Sequence, residues 1–194
     1  MAGRPKYHTD EELIDSATEV FWQKGYEGAS AKDLMKEMKI GQGSFYRSFP
    51  GGKRELYQKS LERRIKKSIS HFYKGLKTSQ DPVQFIKDFF YAIPQRTSLQ
   101  KDCGCYLGNA IIESSNVDEE TKILSTNLLE QLKDGFEKAL EKAQTMGQLD
   151  SKKSPTAIAL FLINFWNGIN VTQRMYPDKA TIEQLIKTNL QILD

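Results

Sequence analysis

Between Ala29 and Phe49 the chain writes two very short helices with almost nothing between them. Ser30 is an N-cap for a helix from Ala31 to Met38, in which Leu34, Met35 and Met38 form an apolar stripe. Lys39-Ile40-Gly41 leaves a turn of about three residues before a second helix spelled Gly41-Gln42-Gly43-Ser44-Phe45-Tyr46-Arg47-Ser48-Phe49. Phe45 and Phe49 are four apart and share one face, while Gln42 and Tyr46, also four apart, share a face rotated away from it. Two helices this short are stable only if rings anchor them to something larger. The polar face is left free, so the pair reads as a helix-turn-helix whose first member braces and whose second meets a partner.

Charge points to the nature of that partner. Residues 1–75 hold 15 Lys and Arg against 10 Asp and Glu, whereas residues 76–194 hold 13 against 15, so the whole-chain +3 conceals a basic N-terminal end. Positive potential there attracts a polyanion, and phosphate contacts supply most sequence-independent DNA affinity. No apolar run approaches the roughly 20 residues that cross a membrane, and Met-Ala-Gly-Arg-Pro-Lys is not followed by the apolar stretch of a secretory signal. No membrane partner and a cytoplasmic location are therefore expected. Cys103-Gly104-Cys105 holds the only two cysteines, which excludes a disulfide framework and suits a reducing compartment.

The rest of the sequence predicts helices and no strand. Thr9 caps a first helix with Asp10, Glu11 and Glu12 in its opening turn and Gly25 at its close. Lys53 starts a long helix on which Leu56, Tyr57, Leu61, Ile65, Ile69, Phe72 and Leu76 recur at three or four residues. Asp81-Pro82 opens another that Pro94 bends or ends, followed by a looser stretch to Asp102. Further helices are expected from Tyr106 to Ser115, Asp118 to Met146, Pro155 to Met175 and Ala180 to Leu193. The expectation is an all-α chain of about nine helices, with a three-helix helix-turn-helix domain over residues 1–52 and a larger helical domain over residues 53–194.

From Ala29 to Tyr57 the motif also resembles a known family. Asp33-Leu34 in the bracing helix, Gly43-Ser44-Phe45-Tyr46 in the reader and Phe49-Pro50-Gly51-Gly52-Lys53 followed by Leu56 are similar to the TetR family of bacterial transcriptional repressors. Lys39 stands where that family often has glycine, and Gly41-Gln42 replaces a common Ser-Lys, so a preferred base sequence is not transferable. The resemblance implies a sequence-specific regulator of double-stranded DNA. Gln42 and Ser44 would meet base edges, Gln42 suiting adenine. Gly43 would permit close approach to the groove, Tyr46 would touch a phosphate or thymine methyl, Arg47 a phosphate or guanine, and Lys53 a phosphate. Arg4 and Lys6, ahead of the first helix, would lie along the backbone or in a neighbouring minor groove.

The helix from Pro155 is apolar around most of its circumference, from Ala157 and Ile158 to Trp166 and Ile169, which in a soluble protein implies burial on two sides. Together with a stripe of Ile182, Leu185, Ile186, Asn189 and Leu193 it predicts a four-helix interface in a homodimer, which suits a palindromic operator. The helices of the larger domain are rich in rings interspersed with polar groups, and the resemblance implies a pocket among them for a small-molecule effector of unknown identity, with Phe89, Tyr106, Asn109, Phe136, Phe165 and Trp166 as candidates. Gly104-Cys105-Tyr106-Leu107-Gly108-Asn109 resembles a segment in a subgroup of these repressors where a cysteine answers electrophiles or oxidants, which adds Cys105 to the effector candidates. His8 and His71 are far apart in the chain, and no nucleophile, acid pair or phosphate-cradling loop has a diagnostic spacing, so no enzyme is read here. No cofactor is expected, and Cys103, Cys105 and His71 are too weakly grouped for a metal site. The alternative is a helical small-molecule-binding or interaction module without DNA readout.

Overall fold

A capping box starts the first helix where the sequence places it: Thr9 Oγ1 accepts from the Glu12 backbone N–H at 3.2 Å, and Glu12 Oε2 accepts from the Thr9 N–H at 2.8 Å. The computed structural model describes residues 8–150 and 152–194, so Arg4 and Lys6 lie outside it. Helix α1 (Asp10–Gly28) runs past the expected stop at Gly25. Gly25 takes φ +72° and kinks the helix, and a further turn follows. The cause is a distant carboxylate. Glu113 Oε2 accepts from the Tyr26 N–H at 2.8 Å, and Glu113 Oε1 stands 2.7 Å from where a Cβ on Gly25 would be.

Helix α2 (Ala31–Glu37) has its own capping box, Ser30 with Asp33. It closes in a Schellman motif, Lys39 N–H to Lys36 C=O at 3.2 Å and Ile40 N–H to Met35 C=O at 3.1 Å. Lys39 is therefore held at φ +54°, the one left-handed non-glycine among the described residues. The glycine common at this turn in similar proteins has a conformational reason that Lys39 overrides. Helix α3 (Gln42–Ser48) follows, and α4 (Gly52–Thr78) begins one residue before Lys53.

The larger part comprises α5 (Pro82–Tyr91), α6 (Ser98–Cys103), α7 (Tyr106–Ser114), α8 (Glu119–Thr145), α9 (Pro155–Met175) and α10 (Lys179–Asn189). Short 3-10 turns at Ile93–Gln95 and Leu190–Leu193 complete it. Among the described residues there are ten α-helices and no strand. The tenth is α6, in the stretch expected to be loose, and the last expected helix tightens to 3-10 at Leu190. Helix α8 lies against α4, α5, α7 and α9, and the rings of Phe72, Phe89 and Phe90 gather around Phe136 with centroids 5.7, 5.4 and 5.6 Å away.

Ion pairs fix the start and the middle of α4. Arg54 bridges Asp118 and Glu120 at the start of α8, at 2.9 and 2.7 Å. Asp15 of α1 accepts a fork from Arg63 at 2.7 and 2.8 Å and also meets Lys67 at 2.8 Å. Hydrogen bonds from Arg63, reinforced by Lys67, hold the Asp15 carboxyl down at about 2, against an ordinary value near 4. A depressed carboxyl contributes stability that is complete above its unfolded pKa and is lost as pH falls toward the folded one. Wild type should therefore lose melting temperature between about pH 4 and about pH 2. Asp15→Asn, less stable at neutral pH, should lose less over that window; equal losses in paired thermal melts would show that the α1–α4 tie contributes nothing.

Candidate functional site

Helix α3 stands on its rings. Phe45 and Phe49 are both 0% exposed, with centroids 5.9 Å apart, and this removes from water the face that the four-residue spacing defines. Gln42, Gly43, Ser44, Tyr46 and Arg47 are all exposed on the outer side. Tyr46 keeps 49% of its surface in water and meets Phe45 edge-on at 5.1 Å. A Cβ built on Gly41 or on Gly43 would find no atom within 4 Å, so the fold itself does not require glycine at either place. Lys53 is half-buried, with Nζ 4.3 Å from the Tyr26 ring centroid, so a phosphate there would compete with an aromatic face.

A second feature lies where α1, α4, α7 and α9 meet. It is a cavity of about 140 Å³. Of the expected effector residues Phe89, Cys105, Tyr106 and Trp166 are on its wall. Phe136 and Phe165 are not: Phe136 is fully buried in the ring cluster behind it, and Phe165 stacks on Phe90 at 5.1 Å. Asn109 is also outside, its Nδ2 donating to the Cys103 carbonyl at 2.8 Å and so fixing the link between α6 and α7. The choice among rings was open in the sequence because helical spacing says that a ring is inward, not which cavity or neighbour it meets.

Cys105 is the N-cap of α7, its Sγ accepting from the Gly108 N–H at 3.3 Å and lying 3.4 Å from Trp166 Nε1. Tyr106 is buried, and its hydroxyl is 2.6 Å from Ser60 Oγ; burial pushes this phenol well up, which keeps it neutral. Trp22 and Arg96, which the sequence did not single out, also line the wall, together with Arg64 and with Asn170, one of the polar groups interspersed among the rings. Arg64 belongs to a run, Arg63-Arg64-Lys66-Lys67, that composition assigns to solvent; in the fold Arg63 and Lys67 hold Asp15, while Arg64 lies over Trp22 at 4.5 Å. Trp22 Nε1 donates to the Gly104 carbonyl at 3.1 Å, tying α1 to the α6–α7 link.

A short two-helix reader with an exposed polar ridge, joined to a helical domain that encloses a cavity, defines the class of helix-turn-helix DNA-binding transcriptional regulators. Residues 13–59 match the model of bacterial regulatory proteins of the tetR family, and residues 83–188 match that of the tetracyclin repressor-like C-terminal domain. The chain belongs to the TetR family. It is 24% identical over 187 residues to the HTH-type transcriptional repressor DhaR of Mycobacterium sp. (strain GP1), covering 93% of this chain and 90% of that one. To the repressor ComR of Escherichia coli (strain K12) it is 24% identical, covering 98% and 91%. Among solved structures, a TetR family regulator from Cytophaga hutchinsonii superposes with a TM-score of 0.84 at 18% identity, covering 95% and 92%. A cysteine mutant of the regulator CifR, complexed with a 26-bp double-strand operator DNA, gives 0.81 at 22%, covering 97% and 98%.

Proposed function

We propose that this protein is a homodimeric, cytoplasmic repressor that binds a palindromic operator through α3 and leaves it when a small molecule or electrophile occupies the α4–α9 cavity. The division of labour falls near residue 52, with residues 1–52 reading DNA and residues 53–194 sensing and dimerising. The ridge from Gln42 to Arg47, exposed above two fully buried rings, carries this reading. Gln42 and Ser44 meet base edges, Gly43 lets the helix approach, Tyr46 and Arg47 contact base or backbone, and Lys53 takes a phosphate, with Arg4 and Lys6 reaching beyond.

Dimerisation is supported by the outer face of α9, where Leu160, Val171 and Met175 keep 56, 54 and 64% of their surface exposed. Leu185 and Asn189 of α10 border a groove beside that face. Two copies would place two readers on half-sites about 34–36 Å apart or a multiple of that. Effector binding favours an arrangement in which α4 swings and that spacing is lost. Cys105, at the head of α7 and on the cavity wall, is where an electrophile would act.

The test is binding of the purified protein to genomic fragments, followed by titration of the retained palindrome at several salt concentrations. Saturable, salt-dependent binding as a dimer is expected. No retained palindrome would mean a helical binding module without DNA readout. Val171→Glu should shift the sedimentation of the free protein from dimer to monomer and abolish operator binding; an unshifted dimer would move the interface elsewhere. Alkylation of the thiol should weaken operator binding of wild type and spare Cys105→Ser, and equal responses would remove the electrophile from the signal.

A further inference from the structure

The cavity wall carries two positive charges and no carboxylate. Arg64 enters its wall from α4 and Arg96 from the link before α6, and no Asp or Glu lines it. Neither guanidinium has an ion pair among the described residues. Each instead stacks on one of the chain's two tryptophans, Arg64 on Trp22 at 4.5 Å and Arg96 on Trp166 at 4.6 Å. Arg96 Nη1 also donates to Asn170 Oδ1 at 2.9 Å. Burial pulls both guanidiniums down, Arg96 to about 10, and the charge of Arg64 adds to the effect on Arg96. Two like charges facing one cavity and partly withdrawn from water are unfavourable unless an anion joins them. Such uncompensated cations in a concave site are the mark of a ligand that brings the missing charge.

The rest of the wall defines the body of that ligand. Ile65, Ile69, Phe72, Phe89, Leu129 and Leu132 are apolar. The volume of about 140 Å³ is near the roughly 150 Å³ that holds benzene in an apolar protein cavity. We propose that the cavity takes a small organic monoanion, a carboxylate on a single ring or short apolar chain, clamped between Arg64 and Arg96 with its body against Ile69 and Phe89. A carboxylate accepts from guanidinium forks in pairs, and the two stacked indoles hold those forks in place before the ligand arrives. The proposal rests on the effector reading above and gives the effector a chemical class.

Both tryptophans sit in the wall, so their emission reads the cavity without a label. Benzoate, phenylacetate and hexanoate, each beside its neutral amide, would be titrated into the full-length dimer to about 10 mM, tenfold above a millimolar Kd. At least one acid should change the emission saturably while its amide does not. Arg96→Gln and Arg64→Gln should each weaken that acid at least about tenfold, the scale of a lost charged hydrogen bond. Arg96→Lys should weaken it less. An amide that binds as well as its acid, glutamine variants that bind like wild type, or no response to any acid would each overturn the proposal. If a variant fails to fold, the acid and amide comparison on wild type decides alone. The assay contains no DNA: a neutral ligand that binds and releases the operator would sink the charge assignment and leave the effector reading, whereas absent operator binding would sink the regulator reading and leave the acid titration intact.

Discussion

Phe45→Ala should lower stability by about 3–5 kcal/mol, the cost of deleting a fully buried ring. The ring has no exposed surface and meets both Phe49 and Tyr46. Helix α3 has only seven residues and no side-chain N-cap, so it is far below the length at which a helix holds itself together. Urea denaturation should show a large fall in midpoint with little change in slope. A loss below about 1 kcal/mol would mean that α3 is supported from elsewhere.

Tyr46→Ala should do the opposite one residue further on. The Tyr46 ring is half in water, meets Phe45 edge-on, and has Gly52 beneath it. An edge-to-face contact of this kind is worth about 0.5–1.5 kcal/mol at most, so the fold should survive. Operator affinity should fall by about 1–3 kcal/mol, on the order of 5- to 150-fold. Fluorescence anisotropy with a labelled operator gives the affinity and a thermal melt the stability. Unchanged affinity would contradict the docking proposed for α3. Together the two variants separate the supporting face of one short helix from its reading face.

The reading helix is legible because two local rules agree: the N-cap at Ser30 starts α2, and a four-residue spacing puts Phe45 and Phe49 on one side. Helix α6 is not legible in the periodicity, although Thr97 and Gln100 form a capping box at its start. It buries no residue, so it has no apolar periodicity to read. The kink at Gly25 was beyond reach because its cause, Glu113, is 87 residues away from the Tyr26 amide that it accepts from. The cavity was half legible for a similar reason. Cys105, Tyr106, Phe89 and Trp166 belong to it, but Arg64 looks like its neighbours in a basic run until Trp22, on another helix, comes to lie beneath it.

Trp22 carries one more implication. Its indole belongs to α1, in the DNA-reading half, yet it forms part of the chamber wall, bonds to the Gly104 carbonyl and lies under Arg64. The first helix thus closes one side of the cavity framed by the larger domain. Under the proposed function, a guest that draws Arg64 toward itself would loosen the contact between α4 and the Trp22 ring at the same point where α4 begins to swing.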